Sequence, residues 1–164
     1  MTPRRLGMVG LSLVLGCLST WSPSVFGQAA DPPADAPARQ VTLFGVIATP
    51  HDLQIDPKLA RVAPQLRKLL PNHGFRLLGV QSKRLTASQS LSCPLDGNLG
   101  LGATTTLIQP TDENGKIQLR CAVVQNPNQT VQLETLVTTP ANQLFFCDKM
   151  LSDGTRLLIG VGAR

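Results

Sequence analysis

Hydrophobic and polar positions change rhythm along this chain, and each rhythm predicts a different kind of segment. Leu6 to Leu18 is one apolar run behind Arg4 and Arg5, followed by the polar stretch Ser19 to Ser24. Asp31 to Arg39, DPPADAPAR, has no apolar period at all. Val41 to Ile47, VTLFGVI, is β-branched and apolar and predicts a first strand. Leu59, Val62, Leu66, Leu69 and Leu70 then fall near helical spacing. Asp56-Pro57 supplies an N-cap followed by proline at the first helical position. Pro64 interrupts that pattern, so the spacing predicts a helix over about 57–70 that is kinked or split in two. Arg67 and Lys68 close its last turn, and Pro71, Asn72 and Gly74 stop it.

From Phe75 onward the period is two. Strands are predicted at Phe75 to Leu85, Ser90 to Cys93, Thr104 to Gln109, Lys116 to Val124, Thr130 to Val137, Leu144 to Cys147 and Arg156 to Val161. Lys116, Gln118 and Arg120 alternate with Ile117, Leu119 and Cys121, which gives one wet and one dry face. Val131, Leu133, Thr135 and Val137 are expected to share a side. Asp112 to Gly115 reads as a hairpin turn, its Asn-Gly pair suited to positive φ. Asp96 to Gly102 reads as a glycine loop. Strands arriving roughly every 10 to 13 residues with short turns are the spacing of an antiparallel sandwich or barrel. The expected fold is therefore α+β and mainly antiparallel β: about eight strands in a β-sandwich or partly closed barrel, with one kinked helix near the start.

The amino-terminal run has the tripartite form of an export signal. Two processing routes fit it. Cleavage after Ala29 makes residues 1–29 a signal peptide, with Gly27 and Ala29 as the small residues near the cut. Alternatively Val14-Leu15-Gly16-Cys17 resembles a lipobox, making 1–16 a lipoprotein signal and Cys17 the lipidated first residue. Residues 30–40 follow as a Pro- and Ala-rich linker, and 41–164 as a single β-rich domain. The run is shorter than the about 20 apolar residues of a membrane-spanning helix, so no transmembrane span is expected. The location implied is periplasmic or extracellular, or membrane-anchored if Cys17 carries lipid.

Export changes how the rest is read. Removing Arg4 and Arg5 from the 15 basic residues leaves 13 against 10 acidic ones, which lowers the net charge from +5 to +3. The remainder is uneven: Lys58, Arg61, Arg67, Lys68, Arg76, Lys83 and Arg84 crowd one stretch, with no acid between Asp56 and Asp96. Arg61, Arg67, Lys68, Arg76, Lys83 and Arg84 are the candidate anion- or partner-binding set, for an anionic lipid, polymer or acidic protein. A solvated helix face explains the same cations. Aromatic residues are only 4% and there is no Tyr, which equips the domain poorly for stacking sugars or nucleic-acid bases. No nucleic-acid partner is expected.

Cys93, Cys121 and Cys147 remain after cleavage, and an oxidising compartment favours one disulfide and one free thiol among three pairings. No two are spaced as a metal or redox motif, so no metal and no cofactor are expected. His51 and His73 could serve a Cys/His or Ser/His hydrolase only if the fold brought a nucleophile beside one of them. Glu113 and Glu134 lack the convergent acids of a glycosidase or a calcium loop, and Asp112-Glu113-Asn114-Gly115 is explained by its turn. Asn128-Gln129-Thr130 matches a glycosylation acceptor relevant to a eukaryotic secretory route. No catalytic residue is assigned.

These readings rank three functions. The first is an exported non-enzymatic β-domain acting by protein contact in an envelope or secreted assembly, through a late strand such as Gln143 to Cys147 or Arg156 to Val161 at a sheet edge. An anionic-ligand or membrane-surface module comes second and a hydrolase third. Intact mass of the native protein separates the processing routes: loss of residues 1–29 is the expected result, and a lipid adduct on Cys17 identifies the alternative.

Overall fold

The structure is a computed structural model that describes residues 37–95, 99–126 and 128–164. The expected signal segment, Cys17 and most of the expected linker lie outside the described residues. The chain runs β1 (Arg39–Pro50), a 3-10 turn (Pro57–Leu59), α1 (Ala63–Leu69) and β2 (His73–Leu85). It continues through β3 (Ser90–Pro94), β4 (Leu101–Gln109), β5 (Lys116–Gln125), β6 (Thr130–Pro140), β7 (Leu144–Met150) and β8 (Arg156–Ala163). Two four-stranded sheets result, ordered β2-β1-β8-β7 and β3-β4-β5-β6, and all strand pairs are antiparallel. The fold is a β-sandwich rather than a closed barrel.

The main core lies between the sheets, where Val41, Leu43, Leu157, Ile159 and Val161 meet Leu107, Ile117, Leu119 and Val123. A second, smaller core covers the other face of the first sheet, where Phe44, Val46, Ala48, Phe75 and Leu158 pack with Leu59, Leu66 and Leu70. This explains why β1 is a near-continuous apolar run: its odd residues face the sandwich and its even ones face the helical insertion. β8 follows the same rule with glycine in place of bulk. The Phe44 ring lies where a side chain at Gly160 would stand, and packs edge-on against Phe146 at 5.8 Å. A side chain on Gly160 would displace that ring.

Of the two forms expected around Pro64, the insertion takes the split one rather than the kinked helix. Asp56 caps a 3-10 turn by accepting the Lys58 N–H at 2.9 Å, and Pro64 then sits in the first turn of a separate seven-residue α1. Proline starts a helix better than it continues one, because it lacks the amide an interior turn requires. The insertion is pinned to β2 through Phe75, whose N–H donates to Gln54 O and whose carbonyl accepts from Asp56 N–H, both at 2.8 Å.

Other differences from the sequence expectations are local. β1 begins at Arg39, inside the expected linker, because Gln40 and Arg164 exchange backbone hydrogen bonds at 2.8 and 3.0 Å. β4 begins at Leu101, so part of the expected glycine loop is strand. The β4–β5 turn places only Gly115 at positive φ, +72°, while Asp112 Oδ1 accepts from Asn114 and Lys116 N–H at 2.8 Å. Val131 does not share a side with Leu133, Thr135 and Val137: Val123 faces Leu133 and Val124 faces Val131, so a bulge at Gln132 reverses the alternation. Of the two late strands, β7 is an edge and β8 is interior.

Where β2 crosses to β3, Gly79 lies against the Pro94 backbone. A Cβ there would stand 2.5 Å from the Pro94 carbonyl oxygen and 3.1 Å from Cys93 Sγ. Backbone cannot swing aside as a side-chain tip can. Gly79→Ala is therefore expected to destabilise the fold by about 1–3 kcal/mol, the usual range for overpacking, read from the urea midpoint. An unchanged midpoint contradicts that tight crossing.

Candidate functional site

The predicted cations separate in space. Arg61 stands with Lys58 at a groove on the outer face of the first sheet, between the 3-10 turn and the β1–β2 pair. Arg67 and Lys68 are exposed on the last turn of α1. Arg76 lines a different hollow with Asp52 and Asp56, about 340 Å³ in volume. Lys83 and Arg84 are consecutive on β2, so they point to opposite faces of the sheet. Arg84 lies opposite Gln40 and Lys83 opposite Val41.

The groove beside Lys58 and Arg61 has a volume of about 500 Å³. Its walls are Phe44, Leu59, Val62, Leu77 and Val80, with Thr42 the one uncharged polar residue. Two features of β2 make it. A bulge between Leu77 and Gly79 shifts the alternation, so Leu77 and Val80 both reach the outer face. The short α1 then covers only the half of that face nearest Phe75 and Leu158, and Val80 stays 52% exposed. A shallower hollow of about 220 Å³ adjoins at Thr42 and is lined by Gln40, Leu144, Gly162 and Arg164 among others.

The cysteines sit elsewhere. Cys93 and Cys121 are buried between the sheets, and Cys147 is half-buried on the sandwich side of β7. All three are free thiols in this structure. The Cys93 thiol approaches Pro94 O at 3.7 Å, Cys121 Sγ lies 3.4 Å from Thr105 Oγ1, and Cys147 Sγ lies 3.7 Å from Ile159 O. None has a histidine for a partner. His51, at φ +63°, lies in the turn after β1, and His73 opens β2 with its Nδ1 buried and without a hydrogen-bond partner. Burial pushes every thiol up, and Cys147, close enough to Cys121 to feel its charge, is raised from 9.0 to about 11. A nucleophilic thiol needs the opposite shift.

Several carboxylates among the described residues are engaged in structure. Glu134 pairs with Arg120 across β5–β6 at 3.4 Å, and Asp148 pairs with Arg156 across β7–β8. Asp153 accepts from both Thr155 N–H and its hydroxyl, which lowers its carboxyl below the usual range. Among the described residues no three metal-ligating side chains gather. Nor is any helix among them long and apolar enough to cross a membrane.

The β6 edge is a feature the sequence reading overlooked. β2 ends its sheet with Lys83, Arg84 and a bulge, β3 is five residues ending in Pro94, and β7 carries Asp148 and Lys149. Such features discourage strand addition. β6 shares a bulge, at Gln132, and a terminal proline, Pro140, but over its eleven residues it carries a single charge, Glu134, which its own neighbour Arg120 holds. Lys149 reaches over to Gln132 Oε1 at 2.9 Å, beside the bulge. Leu133 to Thr139 then runs regularly, with Leu136 58% exposed. Low charge over eleven residues is the signal that marks this strand, but only topology makes it an edge.

No family model matches the chain, and neither a curated protein nor a solved structure matches it.

The raised thiols fix a pH dependence. The folded state holds the Cys147 proton more tightly than the unfolded chain, so stability is full below the ordinary thiol value of 9.0 and declines as pH rises towards about 11. The urea midpoint is expected to fall across that window, with a shallower fall in Cys147→Ala. Identical slopes for the two proteins contradict the assignment.

Proposed function

We propose that this chain is an exported, non-enzymatic β-domain that works by protein contact as a component of a cell-envelope or secreted assembly. The observation that carries the reading is the β6 edge: a long, nearly uncharged strand at the side of a sheet, with Leu136 and Val131 exposed along it. Unpaired backbone groups on such an edge accept an extended segment of another chain, and alternate side chains select which segment. A partner strand with an apolar residue beside Leu136 would cover side-chain surface that this fold leaves wet. The tripartite segment before residue 30 supports export. The raised thiols, each bonded to a carbonyl or a hydroxyl, fit a structural use of cysteine better than nucleophilic catalysis.

The paired substitution Val131→Lys and Leu136→Lys places cations on the open edge without touching the core. Stability is expected to stay within about 0.5 kcal/mol of the parent, as for exposed substitutions generally. The native protein is expected to sediment as a species larger than monomer and the doubly substituted protein as monomer, and photo-crosslinks from position 136 should map to one extended segment. Monomeric native protein at every concentration, with no β6 crosslink, overturns the reading.

A further inference from the structure

The groove on the outer face of the first sheet belongs to neither the sandwich core nor the β6 edge, and its chemistry points to a ligand. A volume of about 500 Å³ falls within the roughly 300–1,000 Å³ of small-molecule sites. Its interior is hydrocarbon, from Phe44 and Leu77 on the sheet to Leu59 and Val62 on the insertion. Thr42, the uncharged polar wall residue, already shares a hydrogen bond with Ser82 Oγ at 2.9 Å. A polar ligand such as a sugar would find few partners there.

The charge is of one sign. Lys58 and Arg61 line the groove, no carboxylate does, and no carboxylate among the described residues pairs with either cation. An apolar trough bordered by two unneutralised cations is complementary to a molecule with a hydrocarbon body and an acidic end. Shape separates a single molecule from a bilayer. Phe44 and Leu59 are 6% and 3% exposed and lie recessed, so a flat membrane surface would meet Val80 and the partly exposed Val62 and Leu77 but not the Phe44 and Leu59 floor that a single inserted chain could reach.

We propose that this groove binds a single-chain anionic amphiphile, its hydrocarbon against Phe44, Leu77 and Val80 and its acid group between Lys58 and Arg61. The site is independent of the β6 edge, so either assignment stands if the other fails.

Sodium decanoate, below its micelle concentration, is the probe, titrated into the native protein by calorimetry. Saturable binding of one decanoate per protein is expected. Affinity should rise about three- to fourfold per methylene from octanoate to decanoate, as burial of each CH₂ requires. Lys58→Glu with Arg61→Glu should weaken binding about tenfold, while Arg67→Glu with Lys68→Glu, at the end of α1, should leave it unchanged. Val80→Asp, at an exposed wall position, should abolish it. An equal response to decyltrimethylammonium, equal weakening by the α1 pair, or no decanoate binding overturns the proposal. Flotation with phosphatidylglycerol vesicles in the absence of decanoate binding replaces it with a membrane surface.

Discussion

Everything in this structure depends on the two central strands of one sheet, β1 and β8, being buried on both faces. β1 and β8 lie at the centre of the first sheet, with the sandwich core against one side and the helical insertion against the other. Such a sheet needs side chains that fit two separate packings at once. Here the solution is reciprocal: Phe44 projects from β1 across the outer face, and Gly160 in the adjoining register position of β8 leaves the space its ring fills. Phe146, on the far side of β8, closes the row edge-on. Without that row the insertion would have little to pack upon.

The same constraint generates both candidate surfaces. A 3-10 turn and a seven-residue helix cover part of a sheet face, and the uncovered remainder becomes the groove with Lys58 and Arg61 on its border. The second sheet has no insertion. It is a plain meander of four strands, its outer face studded with hydroxyls such as the Ser90–Thr106 pair at 2.8 Å, and it ends at β6. One sheet thus offers a concave apolar hollow and the other an open edge. These geometries suit different occupants, a small amphiphile and an extended chain.

The cysteines also follow from the layered packing. Each is on the sandwich side of its strand, where a thiol serves as a small apolar side chain. The low dielectric that accepts them as neutral groups also raises their pKa values, most of all at Cys147 where a second thiol is near. Burial, not reactivity, is the common thread among the three.

How much was legible beforehand differs by kind of feature. Local rules carried the strands, the N-cap at Asp56, the turn role of Asp112 and the sandwich class, because period and turn chemistry act over a few residues. Bulges at Leu77–Gly79 and at Gln132 were not legible: one extra residue in a strand has no local mark, yet it turns Val131 outward and brings Leu77 and Val80 to one wall. The run of cations from Lys58 to Arg84 was plain in the sequence, but a strand's alternation and a change of element scatter them, and only Lys58 and Arg61 border the groove. By itself the sequence determined which segments are strands and where the turns between them fall, since those depend on each residue's own neighbours. Which strand became an edge, and which apolar face was left uncovered, only the tertiary structure decided, because both depend on residues far apart in the chain competing for the same surface.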